Sequence, residues 1–384
     1  MEAIELIKLI ERGEDSRLQF KQNANSPESL AGELVAFANS KGGRILIGVN
    51  DQGTVTGLTS DDIRRINQLL ANTATNLVRP SINPETENVA VAGRWVIVVT
   101  IPEGLSKPYA DNGGLFWVKC GADKRRATAR EEIQRMLQSS DLVHADEVQV
   151  EGTTVADVDL GHFRAFFENQ YGESLNEEAL PLSQLLENLG LAKGGTLNLA
   201  GLLLFGSNPQ RYRPAFLVKA VSFVGNDPAG ERYRDSEDIV GCLKDLYART
   251  MSFVLRNLRR IQVQAGFNTE GELEVSRQAL EELVVNMLLH RDYFISAPWR
   301  VMIFDDRIEL VSPGALPNNL TVNNIRRGVS NMRNPLIASF ATKELPYRGI
   351  GTGIRRAVAA IRDLGLESDH ELNMFTARIP RRPA

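Results

Sequence analysis

Apolar positions along this chain switch between two periods, and the switches outline its elements. The first residues, MEAIELIKLIERGEDS, carry a helical stripe that Gly13 stops, after which 14–21 alternates in the manner of a strand. Residues 26–39 return to helical spacing, with Leu30, Leu34, Val35 and Phe37 as the buried stripe and Pro27 suited to the first turn. The turn Asn39-Ser40-Lys41-Gly42-Gly43 feeds an apolar strand over 44–49, and Asn50-Asp51-Gln52-Gly53 is a hairpin turn into 54–58. A helix over 62–76 follows, then a strand over 95–102. A further strand over 115–119 is predicted to pair with it across Asn112-Gly113-Gly114, and a helix over 129–138 closes a small α+β unit.

Residues 139–154 have no helical face and carry Asp141, Asp146 and Glu147, which places a domain boundary there. Short helices are predicted over 160–170, 183–189 and 198–203, a strand over 216–224 and a long helix over 239–258. Strands over 260–267 and 272–275 precede a helix over 279–293, whose packing face is Leu280, Leu283, Val284, Met287 and Leu288. Paired strands over 299–304 and 307–311, a polar segment over 318–334, a glycine-opened helix over 354–364 and a strand over 373–379 complete the pattern. No internal repeat occurs. The expected division is 1–140, a helical connecting region over 155–260, and 261–384, with an α+β fold throughout.

Composition narrows this picture without redrawing it. A hydrophobic content of 43% and a charged content of 24% belong to an ordinary folded chain, and 384 residues suit two or three domains. No apolar run approaches the ~20 residues a membrane helix needs, and the N-terminal helix has no signal-peptide core, so a cytoplasmic location is expected. Two cysteines and four scattered histidines exclude a disulfide framework and a zinc site of the usual spacing. The net charge of −4 argues against a uniformly basic nucleic-acid coat and leaves room for a local basic patch.

The helix over 279–293 holds the most suggestive chemistry. Glu282, Asn286 and His290 recur every four residues, so a carboxylate, an amide and an imidazole share one face. Further on, Gly349-x-Gly351-x-Gly353 precedes a helix, where glycines allow close backbone approach and free amides suit an anion. No strand and ribose-binding acid place these glycines in a Rossmann unit, and no P-loop motif is present. His290-Arg291-Asp292 is not a kinase catalytic loop, because the partner motifs are missing. His290 is expected to cap or pack the helix end, where a positive charge would suit the dipole.

The order EELVVNMLLHRDY, IELVSPGALP, RGIGTGIRRAV resembles the GHKL ATPase fold, and within it the divergent branch at the C-terminus of RecG-like and Schlafen-related regulators. That resemblance implies an α/β sandwich that binds ATP with Mg2+. It assigns Glu282 as general base, Asn286 as Mg2+ ligand, Gly349, Gly351 and Gly353 as the glycine box, and 318–348 as a lid. Most of the fold has an Asp-x-Gly-x-Gly loop whose Asp reads adenine. Here Ser312-Pro313-Gly314 stands in its place, with Ser312 and Gly314 as the pocket residues. Lys343, Arg348, Arg355 and Arg356 are candidate phosphate contacts.

Residues 14–21 together with 34–53 resemble the Alba-like (AlbA_2) domain of Schlafen-type proteins, which implies nucleic-acid binding. Nuclease members of that family hold a divalent metal with three acids. Glu14 and Asp51 keep the first and third positions, but Gln19 replaces the second, which removes a negative charge and lowers metal affinity. Binding needs only cations, and Lys21, Lys41, Arg44, Lys119, Lys124, Arg125 and Arg126 cluster around the predicted turns, with Glu33, Asp61 and Asp62 between them. The sequence therefore points to an ATP-binding, DNA-binding (or RNA-binding) transcriptional regulator that forms a homodimer. Its alternatives are an ATP-controlled, metal-dependent nuclease and an interaction module with a vestigial ATP site.

Overall fold

The uninterrupted apolar runs of the first 143 residues have a simple cause: the sheet they form is covered on both faces. A computed structural model describes residues 1–139, 143–175, 180–230, 232–262, 271–317 and 320–381. The chain divides into two units, Met1–Val143 and His144–Ala384. In the first, strand Leu18–Lys21 runs parallel to Gly43–Ile47, which is antiparallel to Arg94–Ile101, itself antiparallel to Glu85–Val91. Ile45, Ile47, Ile97 and Val99 face the helices Pro27–Asn39 and Ser60–Asn76. Leu46, Val96 and Val98 face the other way, toward Leu6 of the helix Ala3–Glu11. Burying each such side chain contributes roughly 1.5–3 kcal/mol.

The expected pairing of 115–119 with the strand at 95–102 does not form. Trp117–Cys120 instead makes its own hairpin with Asp123–Arg126. Side chains decide this. Asn39, at the end of its helix, donates to the carbonyls of Tyr109 (2.8 Å) and Trp117 (2.9 Å) and accepts from Tyr109 N–H (2.7 Å). Those bonds hold the segment against the helix terminus and away from the sheet.

The second unit is built on a six-stranded sheet in the order Tyr233–Ile239, Val218–Phe223, Trp299–Ile303, Arg307–Pro313, Met374–Pro380, Gly365–Asp369. Val218, Ala220, Trp299, Val301, Ile308, Leu310 and Ile379 belong to a core shared with the helices Leu243–Arg256 and Arg277–Leu289. On alternate positions the strands carry Arg307, Glu309, Arg378 and Glu367, joined by ion pairs. Residues 155–260, predicted as a connecting region, supply two strands of this sheet and part of its core.

Both edge strands escaped the sequence pattern. Tyr233–Ile239 (YRDSEDI) is polar because an edge buries little, and the helix predicted to start at 239 begins at Leu243. Of the strand predicted over 260–267, Arg260–Ile261 pairs with Glu272–Leu273, and 263–267 lies outside the described residues. The polar segment over 318–334 contains the helix Val322–Arg326 and is followed by the helix Pro335–Glu344, while 318 and 319 lie outside the described residues.

Candidate functional site: a cleft in the second unit and a basic cluster in the first

The helix Arg277–Leu289 is capped by Ser276, whose hydroxyl accepts from Ala279 N–H. It is buried nearly all round, with Ala279, Leu280, Leu283, Val284, Val285, Met287, Leu288 and Leu289 in the core. A carboxylate on such a helix needs a partner. Glu282, 8% exposed, has one in Arg356, which reaches it from 74 residues further along the chain. One turn on, Asn286 donates through Nδ2 to the Glu282 carbonyl (2.6 Å), and its Oδ1 is the acceptor left for a ligand.

These groups wall a cleft that opens to solvent. Its facing wall is the glycine series. Gly353 is the first residue of the helix Gly353–Ala360, and a Cβ there would overlap the Glu282 carboxylate. A glycine there lets the helix start lie against that acid without displacing its side chain. Gly349 and Gly351 line the same cleft with φ of 67° and 69°. The first N–H groups of a helix have no partner within it, so this terminus aims donors toward the space beside Glu282 and Asn286.

The opposite end of the cleft is built around Ser312 and Gly314. Ser312 Oγ donates to the Met287 carbonyl (3.0 Å), pinning the strand end to the site helix. Gly314 has φ of 104°, and a Cβ would overlap the Arg333 guanidinium. Among the described residues lining the cleft, Glu282 is the single acid, against Arg333, Arg348 and Arg356. Lys343 and Arg355 do not line it. Arg333 was not singled out in the sequence, where it sits inside a polar, Asn-rich stretch without a period. Its Nε and Nη1 are buried and without a hydrogen-bond partner. Among the described lining residues no carboxylate takes the place of the Asp that the resemblance leads one to expect.

His290 also lines the cleft, but burial and the neighbouring Arg333 push its imidazole down to about 4. It is therefore neutral near pH 7 and does not carry the positive charge that would suit the helix dipole. Arg291 is wholly buried. Its guanidinium lies 4.4 Å from the ring centres of Phe216 and Trp299 and donates to the carbonyls of Ile295 (2.5 Å) and Ala297 (2.8 Å). The HRD tripeptide is structural.

In the first unit the sequence-predicted cations separate into two groups. Lys21 and Lys124 share the buried Glu33, at 3.4 and 3.0 Å. Lys119 donates to Gln19 Oε1 (2.8 Å) and to the Ala122 carbonyl, and its ammonium sits 4.8 Å from the Phe37 ring centre. Burial lowers the Lys119 ammonium from its ordinary value, while the charges of Glu33 and Glu14 work the other way. Arg126 lies 5.2 Å and Lys124 5.5 Å from the ring centre of Trp117. These four cations form one cluster. Arg125 is instead clipped to Glu132 through two bonds (2.9 and 2.7 Å), Lys41 pairs with Glu103, and Arg44 acts electrostatically on Glu87.

Of the three positions that would hold a nuclease metal, the first two are otherwise engaged and the third is exposed. Glu14 Oε1 accepts from Phe20 N–H (2.7 Å), Gln19 accepts from the Lys119 ammonium, and Asp51 is exposed in the turn after its strand. Among the described residues no three His, Cys, Asp or Glu side chains group so as to hold a metal ion, and no helix is long and apolar enough to cross a membrane.

Comparison with known proteins matches residues 14–129 to the family Schlafen, AlbA_2, and residues 297–372 to the HATPase_c_4 family, described as recG C-terminal. The second match covers Ser312, Gly314, the glycine series and Arg356, whereas Glu282 and Asn286 precede it. A comparison with curated proteins gave no match. A crystal structure from Corynebacterium diphtheriae aligns over 99% of this chain and 80% of that one, at 20% identity and a TM-score of 0.48. The N-terminal domain of a RecG-related protein from Nitrosomonas europaea aligns over 34% of this chain and 95% of that one, at 22% identity and a TM-score of 0.24. The chain thus joins a Schlafen-type AlbA_2 domain to a HATPase_c_4 domain of the recG C-terminal type.

Proposed function

We propose that this protein is a DNA-binding regulator controlled by ATP: the cleft of the second unit takes MgATP, and the basic cluster of the first unit contacts the nucleic-acid backbone. One observation carries the nucleotide reading. The glycine at the start of the helix Gly353–Ala360 is pressed against Glu282 and Asn286, so amide donors, a carboxylate and an amide oxygen converge on one space. Phosphoryl transfer asks for positioning and charge neutralisation, and these groups supply both.

The donor set suits Mg2+. This ion keeps several waters and takes few protein ligands, so an amide oxygen plus phosphate oxygens suffices. Asn286 Oδ1 would hold it, and bound there it would neutralise phosphate charge. Glu282 is the group able to accept a proton from an attacking water, and Arg348 and Arg356 are placed to meet phosphates. Nucleic-acid binding rests on Lys21, Lys119, Lys124 and Arg126, whose charges act on phosphate without reading sequence. The engagement of Gln19 with Lys119 speaks against a metal-dependent nuclease.

A thermal melt with millimolar ATP and magnesium tests the first half. A rise in melting temperature that Gly351→Trp abolishes supports the cleft as the nucleotide site, and no rise in the wild type ends the nucleotide reading. Glu282→Ala should retain binding and lose turnover. A DNA-binding assay across salt tests the second half: affinity should fall steeply as salt rises, and affinity indifferent to salt overturns backbone-led binding. Light scattering with and without nucleotide tests the proposed homodimer.

A further inference from the structure

The proposed base is not free. The Glu282 carboxylate is held by Arg356 Nη2, so one of its two oxygens, Oε1, is committed to a guanidinium. The two partners are not held equally. The Glu282 side chain is 11% exposed on a buried helix, whereas the Arg356 side chain is 32% exposed and lines both the cleft and the adjoining hollow formed with Gln278, Tyr347 and Arg348. Arg356 Nη1 donates to Thr352 Oγ1 (3.0 Å), which keeps the guanidinium over the first turn of the glycine-opened helix. Its Nε is buried without a hydrogen-bond partner. The guanidinium therefore has an unspent donor and a wet side at the place where the helix start faces the cleft.

We propose that Arg356 is a shared cation: in the nucleotide-free cleft it is held by Glu282, and a nucleoside triphosphate entering the cleft draws it onto the terminal phosphate, which releases the carboxylate. The inference rests on the nucleotide reading of the cleft. Its physical basis is competition. A guanidinium binds carboxylate and phosphate with the same forked donors, and it cannot fully serve both. Phosphate brings more negative charge and more acceptor oxygens, so it wins the exchange when present. Glu282, left buried without a cation, then has to be satisfied by a hydrogen-bonded water, and a carboxylate bonded to a water is the state a general base needs. The contact thus couples phosphate arrival to base availability, and Arg356 is a positioning residue that acts through Glu282.

The exchange makes a prediction of sign. Glu282→Gln removes the competitor for Arg356, so binding of AMPPNP with magnesium, read by calorimetry, should tighten by at least fivefold. Arg356→Gln should weaken it by about as much or more. Simple repulsion between Glu282 and phosphate would also tighten Glu282→Gln, and the double variant separates the two causes. Under exchange, Glu282→Gln adds no tightening once Arg356→Gln is present. Under repulsion alone, the gain survives in the Arg356→Gln background, and the proposal is overturned. A Glu282→Gln variant that binds no tighter than wild type overturns it equally. Arg356→Lys keeps a cation within reach and should recover part of the lost affinity, which a merely structural role for the arginine would not give. Wild type that binds no AMPPNP at millimolar concentration removes the nucleotide reading, and the exchange with it. Wild-type binding without the cycle's non-additivity removes the exchange alone.

Discussion

Each candidate site of this protein holds a buried glutamate beside basic groups, and the two solutions differ. Glu33, 4% exposed, is shared by the ammonium groups of Lys21 and Lys124, compact charges on flexible stems that lie at the rim of the first unit. Glu282, 8% exposed, faces a single planar guanidinium at the wall of an open cleft. Both arrangements answer the same requirement, that a buried carboxylate be paired. The difference is in what the cations can do next. Lysines grouped around one acid retain a net positive charge and form a surface for a polyanion. An arginine paired one-to-one with an acid can be exchanged by a single incoming anion.

The largest expected effect comes from Gly353→Ala. Alanine at the first turn of a helix ordinarily stabilises by up to about 1 kcal/mol. Here its Cβ meets the Glu282 carboxylate, and the variant should instead lose roughly 2–3 kcal/mol in urea unfolding. Adding Glu282→Ala should return most of that loss. If Gly353→Ala is neutral, the close approach that defines the cleft wall is wrong.

Next in size is a pH effect in the second unit. Hydrogen bonds to Cys242 and to Glu344 (2.6 Å) raise the His162 imidazole to about 9. A folded value above the unfolded ~6.5 means the bonds stabilise fully below pH 6.5, and that contribution is lost as pH rises through about 9. Once solvent screening is allowed for, the loss is on the order of 1–2 kcal/mol. His162→Asn should flatten the decline in melting temperature between pH 6.5 and 9, and an unchanged slope would place its cause elsewhere.

Glu33→Gln sharpens the contrast between the two acids. It frees Lys21 and Lys124, so DNA affinity should rise about three- to tenfold, with a salt dependence steeper by about one to two counterions. The stability cost should be about 1 kcal/mol, because both lysines can regain water. The smallest effect belongs to Arg125→Gln. Its charge is already answered by Glu132, so DNA affinity should change by less than twofold and stability by under about 0.5 kcal/mol. A large loss with Arg125→Gln would move the nucleic-acid surface away from the Lys119 cluster.

The division between what could be read in the chain and what could not follows from range. A short apolar run located the strand Arg94–Ile101 and period-3.6 patterns the helices Pro27–Asn39 and Arg277–Leu289, because burial imposes its pattern locally. The glycines at 349, 351 and 353 were visible as a series, and Glu282 with Asn286 as a helical face, since both are short-range features. The edge strands Tyr233–Ile239 and Gly365–Asp369 were not, because an edge needs little apolar surface. Asn39 drawing Tyr109 and Trp117 to its helix end, some 70 residues away, leaves no trace in local spacing.

Sequence by itself determined which elements form, which residue types are offered to a ligand, and the resemblance of both ends to known domains. Tertiary structure alone decided the partners. It set Arg356 on Glu282, Lys119 on Gln19 and Arg333 at the far end of the cleft, and it made His290 neutral. The physical reason is that burial and charge pairing act through space. A carboxylate's chemistry depends on which cation the fold brings to it, and that choice is made only when distant segments share one desolvated site.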